Sequence, residues 1–285
     1  MFATKGKDRE YLRLRRSFTL KSLVENKNKI SVLKIQSYLK EKNISEEIET
    51  IQDDISGFEN IGLNLKIKDG TAILNDKISD FSILIYKDIT QKSELSREKD
   101  AVRKQLKILP HEYLSLIDLA FDSTQNKLFE IKTMDLFLNE CGFAGRHLGG
   151  ANKPDGILYT EDSKNDNFGI IVDMKAYSGG YNLPIAQQDE MRRYISNNQK
   201  RDENINPSKW WRFFPDYLKK YYFMFVSGSF NGDIAAKLNK IFLETSVSGT
   251  AMPIITALLL ADNIKSKKIT HKMLAEKICC TEFSI

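Results

Sequence analysis

The chain has 285 residues, 41% hydrophobic and 28% charged, with six prolines and a formal net charge of +5 at pH 7. This length and composition exclude a disordered, collagen-like or fibrous chain and predict a globular protein of one large or two modest domains. No apolar stretch reaches the ~18–20 residues needed to span a bilayer, and the charged N-terminus excludes a signal peptide, so we expect no membrane association.

Two helices are predicted near the N-terminus, because apolar residues recur there at helical spacing. They cover Ser31 to Lys40 and Ser45 to Ser56, and Ser45 is the expected N-cap of the second. Residues 63–74 then alternate apolar and polar side chains around an Asp69-Gly70 turn, which predicts a β-hairpin. Helices followed by a hairpin predict a small winged-helix-like α+β domain, which we place over residues 1–90.

Charge is unevenly distributed in this first domain. Residues 1–42 carry twelve Lys and Arg against four acids, whereas residues 43–64 carry six acids and no base. The acids expected on the second helix, where DNA phosphates would repel them, are Glu46, Glu47, Glu49, Asp53 and Asp54. The domain is therefore predicted to contact protein or to act as a spacer, with Arg13 to Arg16 as its only good candidate for touching nucleic acid. A solvated charged surface without a partner is the open alternative.

A change of pattern divides the chain near Gln91. The highly charged stretch from Asp88 to Lys107 contains no Gly or Pro and predicts a solvated helical connector. After Pro110, short β-rich runs interleave with helical patterns, which predicts an α/β domain with a mixed sheet over residues 91–285. The expected strands are Gly156 to Thr160, Phe168 to Val172 and Tyr222 to Val226. The expected helices are Glu112 to Phe121, Lys127 to Asn139, Ile185 to Asn197 and two more at the C-terminus.

The most informative stretch is Pro154-Asp155, followed after a β-rich run and a polar loop by Asp173-Met174-Lys175. Side chains two apart on a strand share a face, so Asp173 and Lys175 point the same way, and a neighbouring hairpin strand brings Asp155 beside them. Carboxylate oxygens, with a backbone carbonyl such as that of Met174, hold Mg²⁺ and leave positions for water and phosphate. The pattern predicts metal-assisted phosphodiester hydrolysis, with Lys175 orienting the attacking water or helping to deprotonate it.

The D-x-K pattern alone is weak, because an ion pair on an edge strand gives the same letters. Two similar triplets are interpreted as decoys, since Asp162-Ser163-Lys164 lies in a polar run and Glu130-Ile131-Lys132 lies in a helical pattern. Four further residues are predicted to be structural: Glu130 on a solvated helix face, His147 in a hydrogen bond, and Trp210 and Trp211 in a core. The functional alternatives are a metal-facing Glu130, a phosphate contact by His147 and stacking of the tryptophans on bases.

From about Gln91 to the C-terminus the chain resembles the cleavage domain of type IIS restriction endonucleases of the FokI type. The stretches that carry the likeness, in chain order, are LPHEYLSLIDLAFDSTQN, GRHLGGANKPDGILYT, GIIVDMKAYSGGYNLPIAQQDEMRRY, NPSKWWRFFP and FMFVSGSF. This resemblance implies the PD-(D/E)xK nuclease fold, with Asp155 and Asp173 as Mg²⁺ ligands and Lys175 as the catalytic lysine. All three family positions hold the expected residues.

The resemblance implies further properties. Asp189 and Arg193 match residues that make reciprocal contacts between two cleavage domains, so double-strand cutting of DNA is expected to require a homodimer, at least transiently. The implied products carry 5′-phosphate ends, the implied host is prokaryotic, and a cognate DNA methyltransferase is expected in it. Three cysteines without metal-type spacing fit a reducing compartment, so the cytoplasm is the expected location.

Full enzymes of this type are about twice as long and carry DNA-recognition subdomains before the part that matches. We therefore expect either a piece of a longer enzyme or a short nuclease without its own sequence reader. Cleavage is expected to be largely nonspecific unless a recognition domain directs it. Two other functions remain open: a non-catalytic DNA- or protein-binding module, and a transcription regulator, which the acidic second helix disfavours.

Overall fold

The computed structural model of the protein describes residues 9–85, 94–161 and 167–285. The chain divides into two compact units, Met1–Glu98 and Lys99–Ile285. The predicted boundary residue Gln91 and the decoy Asp162-Ser163-Lys164 lie outside the described residues. Within the predicted connector, helix α4 extends over Glu94–Gln105.

The first unit is a small α+β domain of helices and a three-stranded sheet, as predicted. Over residues 9–85 its helices and strands are, in chain order, α1 Arg9–Glu25, β1 Lys29–Ser31, α2 Val32–Glu41, α3 Ile48–Asn60, β2 Leu65–Lys68 and β3 Thr71–Leu74. The strands form an antiparallel sheet in the order β1-β3-β2. Asp69 and Gly70 join β2 to β3 with φ of 49° and 70°, the left-handed conformation that tight hairpin turns require.

Helix α1 and strand β1 were missed by the sequence analysis, β1 because three residues are too few to show alternation. The N-cap predicted for the second helix was wrong. Helix α3 begins at Ile48 with Glu47 at its N-cap, so Ser45 lies before the helix and does not cap it. Apolar side chains of α2, α3 and β2, among them Ile35, Ile51 and Leu65, are fully buried in the core of this unit.

The structure corrects the prediction for the charges of this unit. Arg15 is 7% exposed, and its guanidinium donates to both carboxylate oxygens of Asp54 at 2.6 and 2.9 Å and to Glu46 Oε1 at 2.9 Å. Arg16 Nε donates to Asp54 Oδ1 at 2.9 Å. Glu46 and Glu47 were wrongly expected on the second helix, since α3 begins at Ile48 with Glu47 as its N-cap. Bases of α1 neutralise Glu46 and Asp54. Arg15 and Arg16 of the basic segment are therefore engaged in ion pairs within the unit.

The second unit is built on a mixed sheet, as predicted. Its strands over the described residues are β4 Ala144–His147, β5 Gly156–Tyr159, β6 Phe168–Lys175, β7 Lys220–Ser227 and β8 Gly249–Pro253. They lie in the order β4-β5-β6-β7-β8. The neighbours β4, β5 and β6 pair antiparallel, whereas β6, β7 and β8 pair parallel. Strands β4 and β8 were not predicted from the sequence.

Helices flank this sheet. Those described after α4 are α5 Ser115–Ala120, α6 Asn126–Asp135, α7 Ile185–Lys200, α8 Ile234–Thr245, α9 Ile254–Lys265 and α10 His271–Glu276. Where two C-terminal helices were expected after β7, the described residues contain α8, α9 and α10. Trp210 and Trp211 are 0% and 2% exposed in the core, which confirms their predicted structural role. No helix among the described residues has the length and apolar character of a membrane span.

Asp262 on α9 fixes the segment that follows α4. Its Oδ1 accepts hydrogen bonds from the backbone N–H groups of Lys107, Ile108 and Leu109 at 2.8, 2.8 and 2.9 Å, and the residue is 4% exposed. Burial raises the pKa of Asp262, but the hydrogen bonds from the three N–H groups lower it by a larger amount. The pKa of Asp262 therefore lies below its usual range. The ionised carboxylate therefore stabilises this fold.

Asp262→Asn is expected to lower the free energy of unfolding by about 1–3 kcal/mol at neutral pH, because a neutral amide accepts these hydrogen bonds less strongly. The pKa of Asp262 is lower in the folded than in the unfolded state, so its contribution is present above pH ~4 and is lost as the pH falls through the folded-state value. Urea unfolding of the wild type and Asp262→Asn should show that the difference between their free energies of unfolding shrinks as the pH decreases. A difference that does not change with pH would contradict this role.

Candidate active site

The pairing of β5 with β6 brings the predicted catalytic residues together. The antiparallel register pairs Gly156 with Val172. Asp155, which directly precedes β5, therefore lies opposite Asp173, which directly follows Val172 on β6. Asp173 and Lys175 lie two apart near the end of β6 and share a face because side chains alternate along a strand. The sequence argument for their convergence is therefore realised in the fold.

Hydrogen bonds connect these side chains directly. Lys175 Nζ donates to Asp173 Oδ1 at 2.9 Å and to Asp155 Oδ2 at 3.3 Å. The backbone N–H of Met174 donates to the same Asp155 oxygen at 2.7 Å. The two carboxylates are thus held on either side of one ammonium group.

Burial changes the proton affinities of this cluster. Asp173 is 4% exposed. Burial raises its pKa, Lys175 lowers it and the charge of Asp155 raises it again, with a net value of about 7. Burial lowers the pKa of Lys175, but Asp173 and Asp155 more than offset this and bring it above its usual range. Lys175 is therefore a charged donor in this arrangement.

The donor set fits a magnesium ion. Asp173 Oδ2 is buried and has no hydrogen-bond partner among the described residues. The described chain holds no cluster of three or more His, Cys, Asp and Glu side chains suited to a metal. Two carboxylates are nevertheless sufficient for Mg²⁺, which keeps several waters and commonly binds through one or two carboxylates and substrate phosphate.

Helix α7 presents Asp189 and Arg193 to solvent. Their side chains are 57% and 53% exposed. They do not form the intrahelical i,i+4 pair that their spacing suggests, because Asp189 pairs with Arg192 and Arg193 pairs with Glu190 at 3.1 Å. Both residues are accessible on one helix, as a contact with a second molecule requires.

The environment of Glu130 was predicted incorrectly. Glu130 is 8% exposed rather than solvated. Its Oε1 accepts from Asn126 Nδ2 at 2.5 Å, and its Oε2 lies 3.2 Å from His147 Nε2. Burial and the charge of Asp155 raise the pKa of Glu130. The i,i+4 spacing of Asn126 and Glu130 was the sequence signal for their hydrogen bond. The hydrogen-bonding role expected for His147 is confirmed.

Comparison with known proteins matches two parts of the chain to two domain families of the same type of enzyme. The family described as "FokI, cleavage domain" matches residues 92–284, and the family described as "FokI, D3 domain" matches residues 2–70. The chain is 41% identical over 280 residues to the type II restriction enzyme FokI of Planomicrobium okeanokoites, covering 97% of this chain and 48% of that protein. It is 37% identical over 283 residues to the type II restriction enzyme StsI of Streptococcus sanguinis, covering 97% and 46%.

Solved structures show the same likeness. A structure of restriction endonuclease FokI superposes with a TM-score of 0.91 at 40% identity, and one of FokI bound to DNA superposes with a TM-score of 0.93 at 39% identity. Each match covers 100% of this chain and 50% of the other. The chain thus spans about half the length of these relatives.

Proposed function

The chain belongs to the FokI family of restriction endonucleases, and we propose that it is a Mg²⁺-dependent DNA endonuclease of the type IIS class. It hydrolyses phosphodiester bonds of double-stranded DNA and leaves 5′-phosphate ends. The observation that carries this proposal is the contact of Lys175 Nζ with both Asp155 and Asp173 at the end of a central strand. Membership of the family supports DNA as the substrate, and the presence of the trio of Asp155, Asp173 and Lys175 supports phosphodiester hydrolysis.

The two carboxylates of the trio and its lysine have different tasks. Asp155 and Asp173 hold Mg²⁺, with the Met174 carbonyl as a further ligand. The bound ion supplies a more acidic water and charge stabilisation at the phosphate. Lys175 donates hydrogen bonds from a fixed position between the carboxylates and so orients the attacking water and the phosphate.

Cutting of both strands needs two copies of the chain, because one such site cuts one strand. Asp189 and Arg193 form the contact in a two-fold dimer, in which Asp189 of each copy pairs with Arg193 of the other. On dimerisation these intermolecular pairs replace the intrahelical pairs with Arg192 and Glu190. We expect this dimer to be transient and to form on DNA.

Residues 1–90 act as a protein-contact or spacer domain, and residues 91–285 form the cleavage domain with its helical connector. Internal neutralisation of Asp54 by Arg15 and Arg16 supports this role for the first domain, since it leaves these arginines bound to acids rather than available to phosphates. Cleavage is sequence-nonspecific unless a recognition domain directs it. We further propose a bacterial cytoplasmic protein whose host protects its own DNA with a cognate methyltransferase.

Product analysis tests this function. A short duplex with a label on each 3′ end is incubated with the chain in Mg²⁺ or in excess chelator, and the products are offered to DNA ligase without prior phosphorylation. The proposal predicts cleavage only with Mg²⁺ and fragments that ligase rejoins, because their 5′ ends carry phosphate. Binding of the duplex without any cleavage would favour the non-catalytic module instead.

A further inference from the structure

Hydrogen-bonded side chains around the buried Glu130 connect the two strand segments that carry the proposed catalytic residues. Asn126 and Glu130 lie on α6, and His147 ends β4. Asn126 Nδ2 donates to Glu130 Oε1 at 2.5 Å, and His147 Nε2 lies 3.2 Å from Glu130 Oε2. Helix α6 packs against both β6 and β4, so this connection runs alongside the catalytic site.

One end of the connection is attached next to Lys175. The backbone N–H of Ala176 donates to Asn126 Oδ1 at 2.8 Å. On the neighbouring strand β7, the Ser227 hydroxyl donates to the Lys175 carbonyl at 2.7 Å. The peptide groups around Lys175 are therefore fixed from two sides, one of which depends on Asn126.

The other end of the connection is attached next to Asp155. His147 pairs with Gly156 in the register of β4 and β5. Directly after His147, the N–H groups of Leu148 and Gly149 donate to the Asp155 carbonyl at 2.8 and 3.3 Å. A displacement of His147 would therefore move the backbone that carries Asp155.

Glu130 differs from the carboxylates of the trio in how its oxygens are used. Both of its oxygens have hydrogen-bond partners, whereas Asp173 Oδ2 has none among the described residues. A buried carboxylate whose two oxygens both accept hydrogen bonds holds its partners in place without an unsatisfied polar atom. If one oxygen of Glu130 bound a metal instead, Asn126 or His147 would lose its hydrogen-bond partner.

We propose that Glu130 is a positioning residue, which through Asn126 and His147 fixes the backbone on either side of the catalytic site and does not itself bind the metal. This inference rests on the proposed nuclease function. Outer hydrogen bonds of this kind commonly hold first ligands in place, and their loss commonly costs ~10–100-fold in activity or metal affinity.

Two substitutions of Glu130 separate positioning from metal binding. Glu130→Gln keeps an acceptor for Asn126 and a polar atom facing His147 while removing the charge, and Glu130→Ala removes both connections. We expect the single-turnover rate constant to fall ~10–100-fold in Glu130→Ala and to be largely retained in Glu130→Gln. The matched control is Asp135→Ala on the same helix, whose carboxylate accepts from Tyr113 and Asn139 at 3.0 and 2.6 Å.

Metal binding to the free protein is measured by calorimetry with Mn²⁺ as the probe. Positioning predicts that Glu130→Gln binds Mn²⁺ as the wild type does and that Asp135→Ala leaves both rate and affinity unchanged. Loss of activity or Mn²⁺ affinity in Glu130→Gln to the level of Glu130→Ala would overturn the proposal, as would full activity in Glu130→Ala.

A third readout does not depend on cleavage. Hydrogen exchange of the peptide containing Ala176 should be faster in Glu130→Ala than in the wild type, since Asn126 is no longer held, and unchanged in Glu130→Gln. Equal exchange in all three proteins would overturn the positioning role. An inactive wild type that shows the expected exchange pattern would instead count against the nuclease function alone.

Discussion

Lys175→Ala is expected to reduce the single-turnover rate of DNA cleavage by about 10²–10⁴-fold, because the substitution removes an ammonium group that contacts both Asp155 and Asp173. The fold should survive, since Lys175 lies at the end of β6 and its backbone carbonyl is held by Ser227. The measurement is the rate of cleavage of a labelled duplex at saturating protein and Mg²⁺, with circular dichroism to verify folding.

The matched control for this prediction is Lys132→Ala. Lys132 belongs to the decoy triplet Glu130-Ile131-Lys132 and is exposed on α6, so its removal should leave the rate within about threefold of the wild type, as surface substitutions usually have little effect. A Lys175→Ala protein as active as the Lys132→Ala protein would contradict the assignment of the site.

Charge reversal at the proposed dimer contact is expected to have the second large effect. Asp189→Arg places like charges opposite each other in a two-fold dimer, and so does Arg193→Asp, because each residue faces the other type across the axis. Each variant alone should lose double-strand cutting by at least about tenfold, which corresponds to ~1.4 kcal/mol of lost interaction, while nicking of single strands persists.

A mixture of these two variants supplies the internal control. In a dimer of one Asp189→Arg chain with one Arg193→Asp chain, one of the two reciprocal contacts pairs opposite charges again, in reversed orientation, and the other keeps the wild-type pairing. The ratio of linear to nicked plasmid, measured for each variant and for the equimolar mixture, should therefore recover only in the mixture. Equal double-strand cutting by the separate variants and the wild type would contradict the proposed contact.

The convergence of Asp155, Asp173 and Lys175 was predictable because its geometry is local. Alternation along β6 places Asp173 and Lys175 on one face, and the antiparallel pairing of β5 with β6 brings Asp155 to the adjacent position. The main helices of the second unit were indicated by helical periodicity, whereas the central strands β5, β6 and β7 were indicated by short β-rich or apolar runs.

Features that depend on distant partners were not predictable. Arg15 and Asp54 are separated by 39 positions, and the sequence shows each only as part of a local run of like charge. Strand β4 has the sequence AGRH, with no apolar alternation, so only its pairing with β5 defines it. Glu130 is buried by β4 and the active site rather than by its own helix, and a helical pattern alone assigned it to solvent.

The central claim is that Asp155, Asp173 and Lys175 form a working metal-dependent nuclease site, and supercoiled plasmid tests it most directly. The wild type and Asp173→Asn, which keeps the shape of the side chain but removes its charge, are compared over a range of protein concentrations in Mg²⁺. We predict nicking by the wild type, linear product that rises faster than linearly with protein, and no product with Asp173→Asn. Equal cleavage by the two folded proteins, or intact plasmid with the wild type at every concentration, would contradict the claim.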